Sequence, residues 1–360
     1  MTYPDPYLAT GATVSRWLSD RQRLLRNEAE DAFRAEILDY APRQARHWHR
    51  DYSSVEAFVE SVRDNRDRWA AAVGVPPRQD RPFNARLEPW FSNDQMQVHW
   101  LTVDFFGSLQ ARALLALPVG AGKDTRRPPL VIAQHGIGSS PEKIFGLDDD
   151  ANIYKAYGRR LVEEGFAVLA PMNVSGAQPR ARLTRLCSLM GRTLWGVEIA
   201  RTQRLLDYLE TRDDVDMSRV GMYGISLGGA YTLFTTPLEP RITCAAACAW
   251  FNHRRNKMAI DDARYSCFLS VDEEHVWIPG WLREFSDADL VSLICPRPLF
   301  IEHGKADGIA WWPQVQEEFD AATEPYRQLG IEDHIGIEMH EGGHEIRLQA
   351  TLDFLRRWLQ

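Results

Sequence analysis

Cysteine is scarce in this chain of 360 residues: Cys187, Cys244, Cys248, Cys267 and Cys295 are odd in number and form no paired CxxC spacing. That argues against a disulfide framework and sets a reducing compartment as the expectation. Long apolar runs are missing as well, none approaching the roughly 18 residues that cross a bilayer. Met1-Thr2-Tyr3-Pro4-Asp5-Pro6 lacks a basic stretch followed by an apolar one, so no secretory signal is expected and the location is expected to be cytoplasmic. Positive charge is not in excess: 42 Lys and Arg stand against 50 Asp and Glu, a net charge of -8. A broad surface for nucleic acid or anionic membrane is therefore not expected. There is no internal repeat and no low-complexity tract. What remains is an ordinary globular composition, 44% hydrophobic and 26% charged, long enough for one large domain and a smaller appendage. Tryptophan is frequent, with 12 in the chain.

Two rhythms divide the chain. Residues 13–72 read as helical, with Leu18, Leu25, Ala29, Phe33 and Ile37 on one face and a second helix from Ser54 to Val73 capped by Ser53 or Ser54. The breaker cluster Gly74 to Pro82 marks the junction, giving an N-terminal helical segment over 1–80 and a second domain over 81–360. From there strands are expected at Val98–Phe105, Ala111–Leu117, Pro129–Gln134, Ala167–Ala170, Val220–Tyr223, Ile242–Trp250, Leu299–Glu302 and Ile335–Met339. Helices are expected at Ala151–Glu164, Leu194–Thr211, from Leu227, at Pro313–Leu329 and at the carboxyl end. Strands alternating with helices of this length imply an α/β fold: a mostly parallel sheet covered by helices on both faces.

His340-Glu341-Gly342-Gly343-His344 fits His-Glu-x-x-His, a zinc signature that requires both histidines on one face of a helix. Here the intervening residues are glycines, each costing a helix interior roughly 1 kcal/mol relative to Ala. The residues before them alternate as a strand, and no convincing third ligand follows. No metal is expected, and one of these histidines is left for other chemistry.

Gly224-Ile225-Ser226-Leu227-Gly228 lies between an apolar strand and a helix. This is G-x-S-x-G in the context that lifts a serine hydroxyl to the end of a sheet. A serine needs a base, and the base needs an orienting carboxylate. In the order that such sheets use, Asp307 follows the strand at Leu299 and His344 follows the strand at Ile335, each separation long enough for a strand and a helix. Ser226, Asp307 and His344 are therefore the candidate nucleophile, acid and base; Glu302 and Asp320 are weaker substitutes for the acid. His303 and His340 read as loop, core or strand-end residues. Oxyanion donors are expected from the backbone N–H of Leu227 and from the turn after Pro129–Gln134, where Ile137 is favoured and Gly136 and Gly138 are near alternatives.

Together, QHGIGSSPEKIFGL, GRTLWGVEIARTQRLLDYLETRDDVD, VGMYGISLGGA, CPRPLFIEHGKAD and EGGHE resemble the acetyl-xylan-esterase-related α/β-hydrolases of the dienelactone-hydrolase-like group, over roughly residues 70–360. The resemblance implies an α/β-hydrolase fold, the same Ser226, Asp307, His344 triad, no cofactor and hydrolysis of an ester. Members acting on extracellular polysaccharide would carry an export signal, so a small, imported or intracellular ester is the expected substrate. A segment at about 251–297 interrupts the sheet and holds Trp277 and Trp281; with Trp311 it is expected to touch substrate. Carbon–carbon bond hydrolysis by the same triad, peptide cleavage and a catalytically silent binding role are the competing readings. The N-terminal helices could cap the site, pack, or join two copies in a homo-oligomer.

Overall fold

In the computed structural model, residues 7, 10–122, 127–148 and 153–360 are described. Among the described residues nine strands form one sheet: β1 (Arg86–Ser92), β2 (Met96–Phe106), β3 (Leu109–Pro118), β4 (Pro129–Gln134), β5 (Ala167–Pro171), β6 (Asp216–Ile225), β7 (Ile242–Cys248), β8 (Leu299–Gly304) and β9 (Ile335–His340). Their order is β1-β2-β3-β5-β4-β6-β7-β8-β9. The pairs from β1 through β3 to β5 are antiparallel, and those from β5 to β9 are parallel. This mostly parallel sheet with helices on both faces is an α/β-hydrolase fold.

The strands are apolar because both faces are covered. Every residue of β4 is buried. Their side chains alternate between two cores with the period of two that a strand imposes. Leu130, Ile132, Val220, Met222, Ala245 and Ala247 face one core, which holds the helices Leu194–Leu209, Leu227–Thr235 and Asp287–Ile294. Val131, Ala133, Tyr223, Ile225, Ala246 and Cys248 face the other, beneath Tyr157–Glu163 and Gln349–Leu359. The terminal helix follows the expected pattern, with Leu348, Leu352, Leu355 and Leu359 all buried.

Several elements depart from the sequence expectation. Strand β1 escaped the reading because Pro89 breaks its pattern; it is an edge strand, and the register shifts between Pro89 and Phe91. The helix Ala177–Leu189 was also missed. The stretch 54–73 is two helices, Val55–Ser61 capped by the Ser54 side chain and Arg63–Val73, and the helix expected at Pro313–Leu329 is likewise split at Thr323. The helix expected from Ala151 is seen at Tyr157–Glu163, and its expected start lies outside the described residues.

The largest difference concerns the first helix, Gly11–Leu38: none of its residues is buried, and Leu18, Leu25 and Phe33 are exposed rather than turned to a core. Residues 40–73 do pack. Tyr40 and Trp48 donate to the Glu284 carbonyl, each at 2.9 Å, Asn65 and Arg68 reach the Glu284 carboxylate, and Gln44 and Arg50 reach Asp289. Trp69 lies against Phe234, Trp281 and Phe285. Phe234 sits two turns along the helix from Ser226. These helices thus brace the segment between β7 and β8.

Candidate active site

Ser226 stands between β6 and the helix Leu227–Thr235 with φ 59° and ψ -122°, a conformation that costs a non-glycine residue of order 1–3 kcal/mol. It is held there by its N–H, which donates to Cys248 O at 2.9 Å, and by its carbonyl, which accepts from Ala230 N at 2.9 Å. The turn is so tight that its glycines have no room for a side chain. A Cβ on Gly228 would lie 2.1 Å from Gln134 O, and one on Gly224 would lie 2.5 Å from Gly228 O.

Asp307 lies three residues beyond β8 and His344 four residues beyond β9. Because β8 and β9 are parallel neighbours, these two loops leave the sheet side by side. Lys305 N donates to His340 O at 2.8 Å and Ala306 N to Gly342 O at 3.0 Å, fastening one loop to the other. The result is a hydrogen bond of 2.8 Å between His344 Nδ1 and Asp307 Oδ2. The Asp307 side chain is fully buried, whereas that of His344 is 29% exposed. Burial alone would raise the pKa of Asp307, but the His344 hydrogen bond and charge, with Ile309 N–H on Oδ1 at 3.0 Å, hold it below the usual carboxylate range. Asp307 is thus an ionised acceptor, and His344 presents its other nitrogen away from it.

His-Glu-x-x-His is not helical here. His340 is the last residue of β9, its Nδ1 accepts from Gly342 N at 3.0 Å, and His344 is engaged by Asp307. Among the described residues no group of three or more His, Cys, Asp or Glu could hold a metal ion. Glu302 is also committed elsewhere: its buried carboxylate accepts from Tyr223 and Thr351, each at 2.7 Å, and from Arg347 N–H. Asp320 lies on the helix Trp312–Ala322 and accepts from Gln316.

The turn His135–Gly138 runs beside the serine, since a Cβ on Gly136 would sit 3.4 Å from Ser226 Cβ. Gly136 N–H donates to the Tyr154 hydroxyl at 3.1 Å. Buried His135 fixes this turn: its Nε2 accepts from Asn173 N at 3.2 Å, which leaves Nδ1–H to donate to Gly136 O at 2.8 Å. Leu227 is buried at the first position of its helix, where backbone N–H groups point outward from the helix end.

Two aromatic expectations need correction. Trp281 is buried, packed among Trp69, Phe234 and the Arg254 guanidinium, so its ring is core and not a wall of the site. Trp277 lines a groove of about 570 Å³ formed with Phe33, Ile37 and Met258 of the chain, and none of Ser226, Asp307 or His344 lines that groove. Trp311 follows the Asp307 turn, 36% exposed, with Tyr265 and Arg264 against its ring. Trp281→Ala is accordingly expected to cost about 3–5 kcal/mol of stability, as other buried Trp truncations do. Chemical denaturation measures this, and a variant as stable as the parent would show that the ring is not core.

Lys257 had no sequence signal. Its ammonium is buried and donates to Ser266 O and to Ile309 O, both at 2.7 Å, which ties the segment between β7 and β8 to the turn that carries Asp307. Burial, aided by the nearby Arg254 charge, pushes its pKa down to about 8.

Burial lowers His253 and depresses three further histidines strongly: His135 to about 4, His275 to about 3 with help from Arg180, and His303 to about 4. Neither ring nitrogen of His303 or His275 has a hydrogen-bond partner among the described residues. Each is neutral when folded and has an ordinary value near 6.5 when unfolded. The unfolded chain therefore binds more protons below pH 6.5, so their contribution is complete above that pH and is lost as pH falls toward 4. His303→Leu should therefore make the melting temperature less sensitive to acid between pH 6.5 and 4 than it is in the parent.

Comparison with known proteins agrees with this architecture. Residues 112–271 match the Dienelactone hydrolase family. The Bacillus subtilis protein named "Putative hydrolase YtaP" is 27% identical over 292 residues, covering 78% of this chain and 94% of that protein. Among solved structures, a glucuronoyl esterase from Teredinibacter turnerae superposes with a TM-score of 0.63 at 15% identity, covering 85% of this chain and 86% of its own. Acetyl xylan esterase 1 from Thermoanaerobacterium superposes with a TM-score of 0.52 at 16% identity, covering 82% and 93%.

Proposed function

We propose, for a chain that carries a Dienelactone hydrolase family domain on an α/β-hydrolase fold, that it is a serine hydrolase cleaving a carboxylic ester of a small substrate through an acyl-enzyme. The observation that carries this reading is the strained Ser226 at the end of β6, with the His344–Asp307 pair at 2.8 Å on the loops after β8 and β9. In this mechanism Ser226 Oγ attacks the ester carbonyl and passes its proton to Nε2 of His344. The buried Asp307 carboxylate holds the Nδ1–H tautomer and stabilises the imidazolium that forms. The tetrahedral oxyanion is received by Leu227 N–H and Ile137 N–H; commitment of Gly136 N–H to Tyr154 favours Ile137 over its neighbour. His344 returns the proton to the leaving alcohol, and water, activated by the same base, releases the acid. Trp311 is assigned to the substrate side of the acid turn.

A fluorophosphonate probe is expected to label Ser226 stoichiometrically, with the adduct located by peptide mass spectrometry, and short acyl esters are expected to turn over. A chain that is not labelled and hydrolyses none of a panel of esters, β-diketones and peptides would be a silent fold. Turnover of β-diketones alone would assign the triad to carbon–carbon bond cleavage.

A further inference from the structure

The helix Gly11–Leu38 spans 28 residues, roughly 42 Å at 1.5 Å per residue, and buries none of them. A helix in water draws most of its stability from packing an amphipathic face, so a helix this long with none buried is incomplete by itself. The groove it shares with its own body is lined by Glu30, Phe33, Arg34 and Ile37, spaced for one face, and by Glu36 near the helix end, with Arg34 paired to Asp261 and Arg43 to Glu36. Val14, Leu18, Leu25, Ala29 and Ala32 lie on another face, roughly 130° away at 100° per residue. All five are exposed, Leu18 to 53% and Leu25 to 65%.

Charge along the helix identifies what covers that face. Residues 11–26 hold Arg16, Arg21, Arg23 and Arg26 against Asp20, a net charge of about +3; residues 27–38 hold Glu28, Glu30, Asp31 and Glu36 against Arg34, about -3. A parallel copy would set like charges together. An antiparallel copy sets the basic half of each helix on the acidic half of the other. A two-fold axis at Leu25 also places Leu18 opposite Ala32, large against small, and Arg21 beside Glu28 of the second copy.

We propose that the helix Gly11–Leu38 is a dimerisation element that pairs antiparallel with the same helix of a second copy across a two-fold axis near Leu25. This self-complementary contact is the isologous kind that closes at two subunits.

Light scattering on the full-length chain tests it. The parent is expected at twice its 41.2 kDa mass. Leu25→Asp is expected at the monomer mass with an unchanged melting temperature for the hydrolase body. Arg21→Glu alone and Glu28→Arg alone should each dissociate, since each brings like charges together. The two variants mixed should form heterodimers. Leu25→Cys should cross-link to its own copy on oxidation, while Leu18→Cys, roughly 21 Å from its counterpart, should not. A monomeric parent at about 100 μM, or a dimer that persists in both Leu25→Asp and Arg21→Glu, would overturn the proposal. A dimer lost in Leu25→Asp but indifferent to either charge reversal would exclude the antiparallel arrangement.

Discussion

Ser226→Ala is expected to reduce ester turnover by about a millionfold, the order seen when the nucleophile of another serine hydrolase triad is removed. The loss comes from chemistry and not from the fold. Alanine keeps the Cβ that the turn already accommodates, and the hydrogen bonds that hold the turn, from Ser226 N to Cys248 O and from Ala230 N to Ser226 O, belong to the backbone. The variant should therefore melt at about the parent temperature, because the strain of the turn and the backbone bonds that hold it are both unchanged. It should also lose fluorophosphonate labelling altogether. A clean preparation that keeps more than a few per cent of parental activity would show that Oγ of Ser226 is not the atom acylated.

Asp307→Asn is expected to lower kcat by about four orders of magnitude, as the equivalent amide substitution does in another triad. The Asp307 carboxylate is fully buried, and its Oδ2 is 2.8 Å from His344 Nδ1. An amide in that place can turn its NH₂ toward the imidazole. It then favours the tautomer with the proton on Nε2, where the base must be empty, and it supplies no negative charge to balance the imidazolium. KM should change little, because Asp307 lies behind the histidine. The measurement to compare is Glu302→Gln. Glu302 accepts from Tyr223, Thr351 and Arg347, so its substitution should lower stability while leaving the chemical step largely intact. An active Asp307→Asn beside an inactive, folded Glu302→Gln would mean that the acid is misassigned.

The sequence by itself determined the parallel sheet and the identity of the candidate site residues. Both are written in local patterns: a short apolar run such as Pro129–Gln134, bounded by turn residues, reads as a buried strand, and Gly224 to Gly228 encode a turn in which side chains do not fit. Paired glycines after an alternating strand also disfavoured a helix at the His340 to His344 pentapeptide, and the structure has none there. Tertiary structure alone decided what depends on partners distant in the chain. Trp277 and Trp281 carry the same sequence signal, an aromatic in a long insertion, yet Trp281 is enclosed by Trp69 and Phe234 from segments that no local pattern connects to it. Lys257 gave no signal, because its link to the Asp307 turn is a contact with the Ile309 carbonyl, and every residue offers a carbonyl. The stripe of Leu18 and Leu25 was legible as an apolar face, but periodicity reports only that a face is apolar. Whether it meets the chain's own core or is left open is set by where the following helices carry the chain, and here they carry the body away from it.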